Sequence, residues 1–518
     1  MSLLRTRWSR SAPAVRLATL ALLGVCASPA MAAPDFVLRW QDRFLDLTAQ
    51  ENAFLQEGGV TVQADNPPSV SRQMAILNTS MFNAVNAFDN RYQMYGGGPN
   101  VTPALHASRD AAAAEAGRMA LRQMFPNTPR YPTRVTQIDS IADGMIDEML
   151  DRGTSATSIN AGQIVGQAAA NQILGLRQND GSTPRTSWAE SSQFGRYRTD
   201  LFGAQTNAPA AEPQWGQQRP WTMTSGGQFS RHYIPDFTSS EYAAAVELTR
   251  TRGSKARYAA PVLDAQASWE KRTAMLWAQK GLSPSGVKVT TGTTTPPGQW
   301  LKVAREMAAT RNDDLLENAR LMALVSLAEA DAAIAAWQMK FDPQNNLWRP
   351  IHAIRLAAEP GDPFYNAGVT RDEAWSPLIP TSNHPEYVSG HSTFSGAAAQ
   401  LLTHYFGADV SFNVAGDDAL WLDAAGNIVD SSAPGATKEV RTYTSFWDAA
   451  NEAGMSRIYG GIHYSFSNSS GLAAGSDIGD WIFSTALQPT VVPEPTLLLS
   501  LAPIGAAMAS RHRRVRRA

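Results

Sequence analysis

Residues 313–341 read DDLLENARLMALVSLAEADAAIAAWQMKF, and this stretch decides the fold. Leu316, Ala323, Leu324, Leu327, Ala330, Ile334 and Trp337 recur at intervals of three and four, which places them on one stripe of an α-helix. The spacing predicts a long helix from Asp313 to Met339 with its apolar stripe buried. Similar periodicity runs through Phe36 to Leu47, Ser71 to Phe88, Ala107 to Met124, Val135 to Leu150, Ile159 to Leu176 and Ser239 to Arg250, while strand-type alternation is scarce. The chain therefore reads as an all-α helical bundle. Two segments break the pattern: residues 178–237 are polar and rich in Gly, Pro, Gln and Trp, and Val287 to Gly298 is a Thr/Gly/Pro run expected to form a loop or boundary. A soft divide there separates an N-terminal helical half (33–286) from a C-terminal one (287–490).

Both ends read as addresses rather than fold. Arg5, Arg7, Arg10 and Arg16, the apolar run Leu17 to Ala27 and the small-residue pattern Ala30-Met31-Ala32 make residues 1–32 a secretory signal, with the mature chain starting near Ala33. At the other end Val492-Pro493-Glu494-Pro495 precedes an apolar stretch from Leu497 to Ser510 and the basic residues Arg511, Arg513, Arg514, Arg516 and Arg517. Residues 491–518 resemble the PEP-CTERM sorting signal of Gram-negative bacteria, which implies handling by envelope sorting machinery. Export to the periplasm, cell surface or extracellular matrix follows as an expectation. As a helix the apolar stretch would cover about 21 Å, short of a bilayer core of about 30 Å, so a signal that is read and removed fits better than a permanent span.

The 518 residues, 43% of them hydrophobic and 17% charged, supply ample material for a large core. Lys plus Arg number 44 against 46 for Asp plus Glu, a formal net charge of -2, so no bulk attraction to nucleic acid or acidic lipid is expected and any anion site must be local. The one cysteine, Cys26, lies inside the secretory signal, which removes disulfides and cysteine catalysis from consideration.

The suspicious polar residues gather in three segments of the C-terminal half. In the first, the long helix ends at Lys340 and is followed by Arg349-Pro350. Either two cations converge there, or a helix C-terminus carries Lys and Arg to suit its dipole. In the second, Pro385-Glu386-Tyr387-Val388-Ser389-Gly390-His391-Ser392 runs into a helical stretch. Ser389 and Gly390 would then offer a hydroxyl and free N–H groups to an anion at a helix N-terminus, with His391 beside it. A capping serine before a solvent-facing histidine reads the same way. In the third, Ser456-Arg457-Ile458-Tyr459-Gly460-Gly461-Ile462-His463, one straight helix would put Arg457 and His463 about 240° apart. Gly460 and Gly461 offer a break that can re-aim His463; the plainer alternative is an Arg on a surface turn and a His satisfied by a carbonyl. His106, His232, His352 and His404 read as structural or surface residues.

Taken in order, Lys with Arg-Pro, then Ser-Gly-His, then Ser-Arg with a His six residues after the Arg resembles the signature shared by vanadium-dependent haloperoxidases and type 2 phosphatidic acid phosphatases. Similarity to the bacterial haloperoxidase-like branch extends through Ser71-Arg72-Gln73-Met74, Asn86-Ala87-Phe88-Asp89, Leu315 to Arg320, Ala330 to Trp337 and His391 to Ala398, covering about Phe36 to Ile482. By this resemblance Lys340, Arg349 and Arg457 would hold the equatorial oxygens of vanadate or phosphate, with Ser389 and the Gly390 N–H completing the cradle. His463 would supply the apical nitrogen and be the metal ligand, and His391 the acid/base on the opposite side. Five-coordinate vanadate has the shape of the phosphoryl-transfer transition state, so one cradle suits both chemistries.

Trp337 and His384 occupy places that line the halide side in the family. The chloride-oxidising fungal enzymes have Phe where this chain has His384 and algal bromoperoxidases have His, a match that favours bromide or iodide. Three departures stand against these matches. Eight residues rather than six separate Lys340 from Arg349, so the Gln344-Asn345-Asn346 loop must bulge; Val388 replaces the proline before Ser-Gly-His; and Ser467 replaces the Asp usually found four residues after the second His. Three readings result. The first is an exported vanadium-dependent haloperoxidase using vanadate, hydrogen peroxide and halide. The second is an acid phosphatase acting on phosphate esters at the same residues without a cofactor. The third is a catalytically silent envelope or matrix protein.

Overall fold

The computed structural model describes residues 35–51, 55–57, 60–62, 67–200, 209–259, 264–278, 293–311, 313–358, 362–416, 420–429 and 432–490. The expected secretory signal at 1–32 and sorting signal at 491–518 lie outside the described residues. The helices are α1 (Phe36–Glu51), α2 (Pro67–Asn86), α3 (Arg109–Met124), α4 (Arg134–Asp151), α5 (Ala156–Arg177), α6 (Ser240–Arg252), α7 (Ala265–Leu276), α8 (Thr295–Arg311), α9 (Leu315–Phe341), α10 (Pro350–Arg355), α11 (Gly390–Phe406), α12 (Phe446–Tyr459) and α13 (Ser465–Thr485). Among the described residues strands are few and short, grouped in three small antiparallel sheets, so the fold is all-α in substance. No helix of the described residues is long and apolar enough to cross a membrane.

The stretch that decides the fold is α9. Asp314 caps it by accepting from the N–H of Glu317, and Glu317 in the first turn suits the helix dipole. Beyond Leu316 almost every side chain is buried, not one stripe, because α2, α8, α11 and α13 surround it. Helices from both sides of residue 287 therefore share one core: α9 packs on α2, and α8 on α1 and α2. The expected loop at Val287 to Gly298 is corrected in part. Residues 279–292 are outside the described set, but Thr295 to Gly298 form the buried first turn of α8. Pro296 and Pro297 read as loop signals, yet a first helical turn has no intrahelical acceptors for their missing N–H groups to need.

The helices α7 and α13 were not expected from periodicity. In α13 the reason is visible: Gly471, Gly475 and Gly479 form the contact with α11 where a stripe of large apolar residues would otherwise sit. A Cβ at Gly475 would lie 2.3 Å from the Thr393 carbonyl oxygen, and one at Gly471 2.8 Å from that of Ser389. Only bare glycines allow so close an approach, and it fixes the start of α11 against α13.

Glu329 of α9 is a buried carboxyl with no hydrogen-bond partner among the described residues. Burial raises its pKa well above the ordinary 4.5. A raised folded pKa favours the fold below about pH 4.5, and that contribution is lost as pH rises through the folded value. Glu329→Leu is therefore expected to stabilise the protein at pH 7 by about 1–3 kcal/mol, with a smaller gain near pH 4. Thermal denaturation at the two pH values tests this; an equal or opposite change at both would contradict it.

Candidate active site

Lys340 lies one residue before the end of α9 and is fully buried. Its ammonium donates to the carbonyl oxygens of Pro385 at 3.1 Å and Glu386 at 3.3 Å, and to that of Val388. With three donors so engaged, the lysine ties the segment before α11 to the end of α9, and what it offers an anion is chiefly its charge. Burial, then the charge of Arg349, holds its pKa well below the usual lysine value, against the pull of Glu386.

Arg349 caps α10 and also reaches the site, despite the lengthened connection. Its Nε donates to the His384 carbonyl at 2.8 Å, Nη1 to the Ile462 carbonyl at 2.9 Å and to His463 Nε2 at 3.1 Å, and Nη2 meets His384 Nδ1 at 2.8 Å. Two backbone bonds and one side-chain bond tie the lengthened connection to the polar segment 178–237. Tyr197 N–H donates to the Asn346 carbonyl at 3.3 Å, Trp348 N–H to that of Gly195 at 3.0 Å, and the Arg196 guanidinium to that of Pro343 at 2.6 Å. Burial lowers the Arg349 pKa to about 10.

The turn between α12 and α13 aims His463. Gly461 adopts φ +78°, its N–H donates to the Ile458 carbonyl at 2.9 Å and that of Ile462 to the Arg457 carbonyl at 3.1 Å, a Schellman ending that stops α12 and reverses the chain. His463 is buried, with Nδ1 2.8 Å from Glu386 Oε1 and Nε2 facing Arg349. A guanidinium only donates, so Nε2 must accept and the ring proton is assigned to Nδ1 by this network. Burial, followed by the charges of Arg349, Lys340, His384 and His391, pushes the His463 pKa well below 6.5, so the ring is neutral.

Ser389 caps α11. Its Oγ accepts from the Ser392 N–H at 3.4 Å and lies 2.8 Å from Ser392 Oγ, which in turn is 2.7 Å from Asn468 Oδ1 of α13. Gly390, first in the helix, has an N–H without an intrahelical acceptor. A Cβ there would lie 3.5 Å from Trp337 Cζ3 and 3.9 Å from Lys340 Cε, so Gly390 faces the end of α9. His391 is half-buried in the same turn. The Trp337 and His384 rings stand 5.1 Å apart, and Trp337 Nε1 donates to the Ala211 carbonyl at 3.0 Å. The structure thus brings together Lys340, Arg349, Ser389, Gly390, His391, His463, Trp337 and His384.

Arg457 does not share these contacts. It is fully buried in the last turn of α12, with Nε 2.9 Å from Ser456 Oγ and Nη2 donating to the Ala274 carbonyl at 3.2 Å, while Nη1 has no partner among the described residues. Burial alone lowers its pKa to about 9. Glu386 is the residue that sequence reasoning missed. A charged side chain in the run Pro385 to Val388 was a signal, but its partner His463 is 77 residues away. Burial raises the Glu386 pKa to about 7, against the Tyr464 N–H and the charges of Arg349 and Lys340.

The charges are unbalanced. Lys340, Arg349 and Arg457 are all buried, Glu386 opposes the first two, and burial of Arg457 is relieved by no anion among the described residues. Buried cations without counter-charges are costly. The unpartnered Arg457 Nη1, the accepting Nε2 of His463 and the helix N-terminus at Gly390 fit an oxyanion such as vanadate or phosphate.

The comparisons with known proteins point the same way. Residues 320–490 match the family described as the VCPO second helical-bundle domain. The chain is 29% identical over 234 residues to vanadium chloroperoxidase of Curvularia inaequalis, a match that spans 38% of this chain and 36% of that relative's length. A bacterial vanadium-dependent iodoperoxidase superposes with a TM-score of 0.65 at 23% identity, covering 88% of this chain and 97% of the other. A holo-type bacterial vanadium-dependent chloroperoxidase does so with a TM-score of 0.58 at 16% identity, with the same coverage of 88% and 97%. Residues 320–490 thus match the VCPO second helical-bundle domain in sequence, and the wider helical fold is shared with bacterial vanadium-dependent haloperoxidases.

Proposed function

We propose that the protein is an exported vanadium-dependent haloperoxidase that oxidises halide with hydrogen peroxide, bromide or iodide in preference to chloride. The observation that carries this reading is the neutral, buried His463, its Nδ1 bonded to Glu386 and its Nε2, an acceptor facing Arg349, set among buried cations. When bound, vanadate would supply the Lewis acidity that activates peroxide toward halide. His463 would hold it through Nε2, Arg349 and Arg457 would donate to its oxygens, Lys340 would add charge, and Ser389 and Gly390 would close the cradle. His391, in the first turn of α11, would move the proton that peroxide binding releases. The His384 imidazole beside Trp337 makes the halide side polar, which supports the preference for the softer halides. One structural neighbour is named for iodide and another for chloride, so this preference rests on His384.

The same neutral His463 also suits nucleophilic attack on a phosphate ester, which keeps a metal-free acid phosphatase as the second reading. Protein purified from its host is the material for the test. Its intact mass is expected to lack the segment before about Ala33 and the tail after Pro495, consistent with export and envelope sorting. Orthovanadate is then titrated into it, with iodide, bromide and chloride oxidation and phosphate-ester hydrolysis followed side by side. Vanadate-dependent oxidation of iodide and bromide above chloride is the expected result. Hydrolysis inhibited by vanadate would favour the phosphatase, and neither activity the silent protein.

A further inference from the structure

We propose that Glu386 is the positioning residue of His463, supplying from the segment before α11 the carboxylate that Ser467 lacks. This rests on the ligand role of His463 in the reading above. Glu386 is fully buried, and its Oε1 accepts from two groups of the α12–α13 connection, His463 Nδ1 at 2.8 Å and the Tyr464 N–H at 3.0 Å. Its own backbone is fixed from both sides. The Glu386 N–H donates to the Leu347 carbonyl at 3.0 Å, and its carbonyl accepts from Lys340 Nζ at 3.3 Å. The backbone that carries the carboxylate is therefore tied to the end of α9 and to the connection before α10.

Ser467 occupies the place where the family resemblance expects an Asp. Its side chain is fully buried, and its hydroxyl lies close enough to Glu386 to favour the charged carboxylate, although no well-formed bond links the two. Residue 467 stands in the first turn of α13, three residues after Tyr464, whose N–H Glu386 Oε1 accepts, so an Asp there would bring a second carboxylate to the same end of α13. Two carboxylates there would repel, so the site accommodates one, and in this chain it comes from residue 386. A carboxylate on Nδ1 keeps the proton there, leaves the Nε2 lone pair outward and fixes the plane of the ring.

The test uses the full-length chain with Glu386→Ala, Ser467→Asp and the double variant, probed with orthovanadate alone by equilibrium dialysis. The His463 ring tautomer is read separately in metal-free protein from 15N shifts of labelled histidines, with His463→Ala giving the assignment. Glu386→Ala is expected to weaken orthovanadate binding by about 10–100-fold and to shift ring protons onto Nε2. Ser467→Asp alone should also weaken it, whereas the double variant should recover most of the loss and the wild-type tautomer. A purely structural role for Glu386 would not be rescued by an acid from another helix. Should Glu386→Ala fail to fold, Glu386→Gln keeps the shape and removes the charge, and it enters the same cycle with Ser467→Asp. Wild-type affinity and tautomer after loss of Glu386, or no rescue in the double variant, would overturn the proposal. A wild-type protein that holds no orthovanadate would instead overturn the haloperoxidase reading, and the tautomer comparison would still decide on Glu386.

Discussion

Replacing His463 with alanine is expected to abolish orthovanadate retention, while His391→Ala keeps much of it and loses the reaction. In the first variant the accepting nitrogen that faces Arg349 is gone. The remaining groups that face an anion are donors: Arg349, which turns to the Ile462 and His384 carbonyls, and the N–H at the head of α11. Charge attraction alone would then hold the oxyanion, weakly and with strong salt dependence. In the second variant the bonds that join His463 to Glu386 and Arg349, and those that tie Lys340 and Arg349 to their carbonyl partners, are made without the His391 side chain and remain. Halide oxidation should nonetheless fall by about 10²–10⁴-fold, the usual worth of a positioned proton-transfer group. Equilibrium dialysis with orthovanadate and a halide-oxidation assay separate the two roles. Equal loss of vanadate in both variants would contradict them, and undiminished halide oxidation in both would move the activity elsewhere.

The second large effect is expected away from the reacting groups, at Asp331. This buried carboxylate of α9 accepts from the N–H groups of Trp221 at 2.7 Å, Thr222 at 2.9 Å and Met223 at 3.1 Å, and from the Thr222 hydroxyl at 2.7 Å. Those four donors belong to the irregular segment that crosses the end of α9, where Gly216 lies so close that a Cβ would come within 2.4 Å of Gln338 Cα. Asp331→Ala leaves the donors buried without an acceptor and is expected to cost about 3–5 kcal/mol, as removing one partner from a buried charged network does. Asp331→Asn, which retains one acceptor oxygen, should cost less. Denaturant unfolding measures the difference. A loss in Asp331→Ala no larger than about 0.5 kcal/mol, the range of neutral surface changes, would mean that other contacts hold the turn. Orthovanadate affinity should fall with stability in this variant, because the Ala211 carbonyl on the same segment anchors Trp337 beside His384.

Much of the helical framework was legible in the chain because helix periodicity and capping are local. Leu316 to Trp337 announce α9 through their spacing, and Gly460-Gly461 marks the break that aims His463. The order of Lys340, Arg349, Ser389, His391, Arg457 and His463 carried the family resemblance by itself. What the chain could not disclose were meetings between residues far apart in sequence. Nothing near Gly471 or Gly475 says that α11 will lie against them, since a missing side chain matters only once a partner backbone approaches. The two-residue lengthening before Arg349 read as a threat to the site, and only the packing of Gly195, Arg196 and Tyr197 on that loop shows how Arg349 still arrives. For Arg457 only the fold shows that Nη2 bonds the Ala274 carbonyl of α7, a neighbour 183 residues away, while Nη1 has no partner among the described residues. Glu386 was an unremarked acid in the sequence and holds the central histidine in the fold. Local sequence determined which helices form and which groups are offered; the tertiary structure decided which groups meet, because hydrogen bonding and burial depend on distances that chain order does not encode.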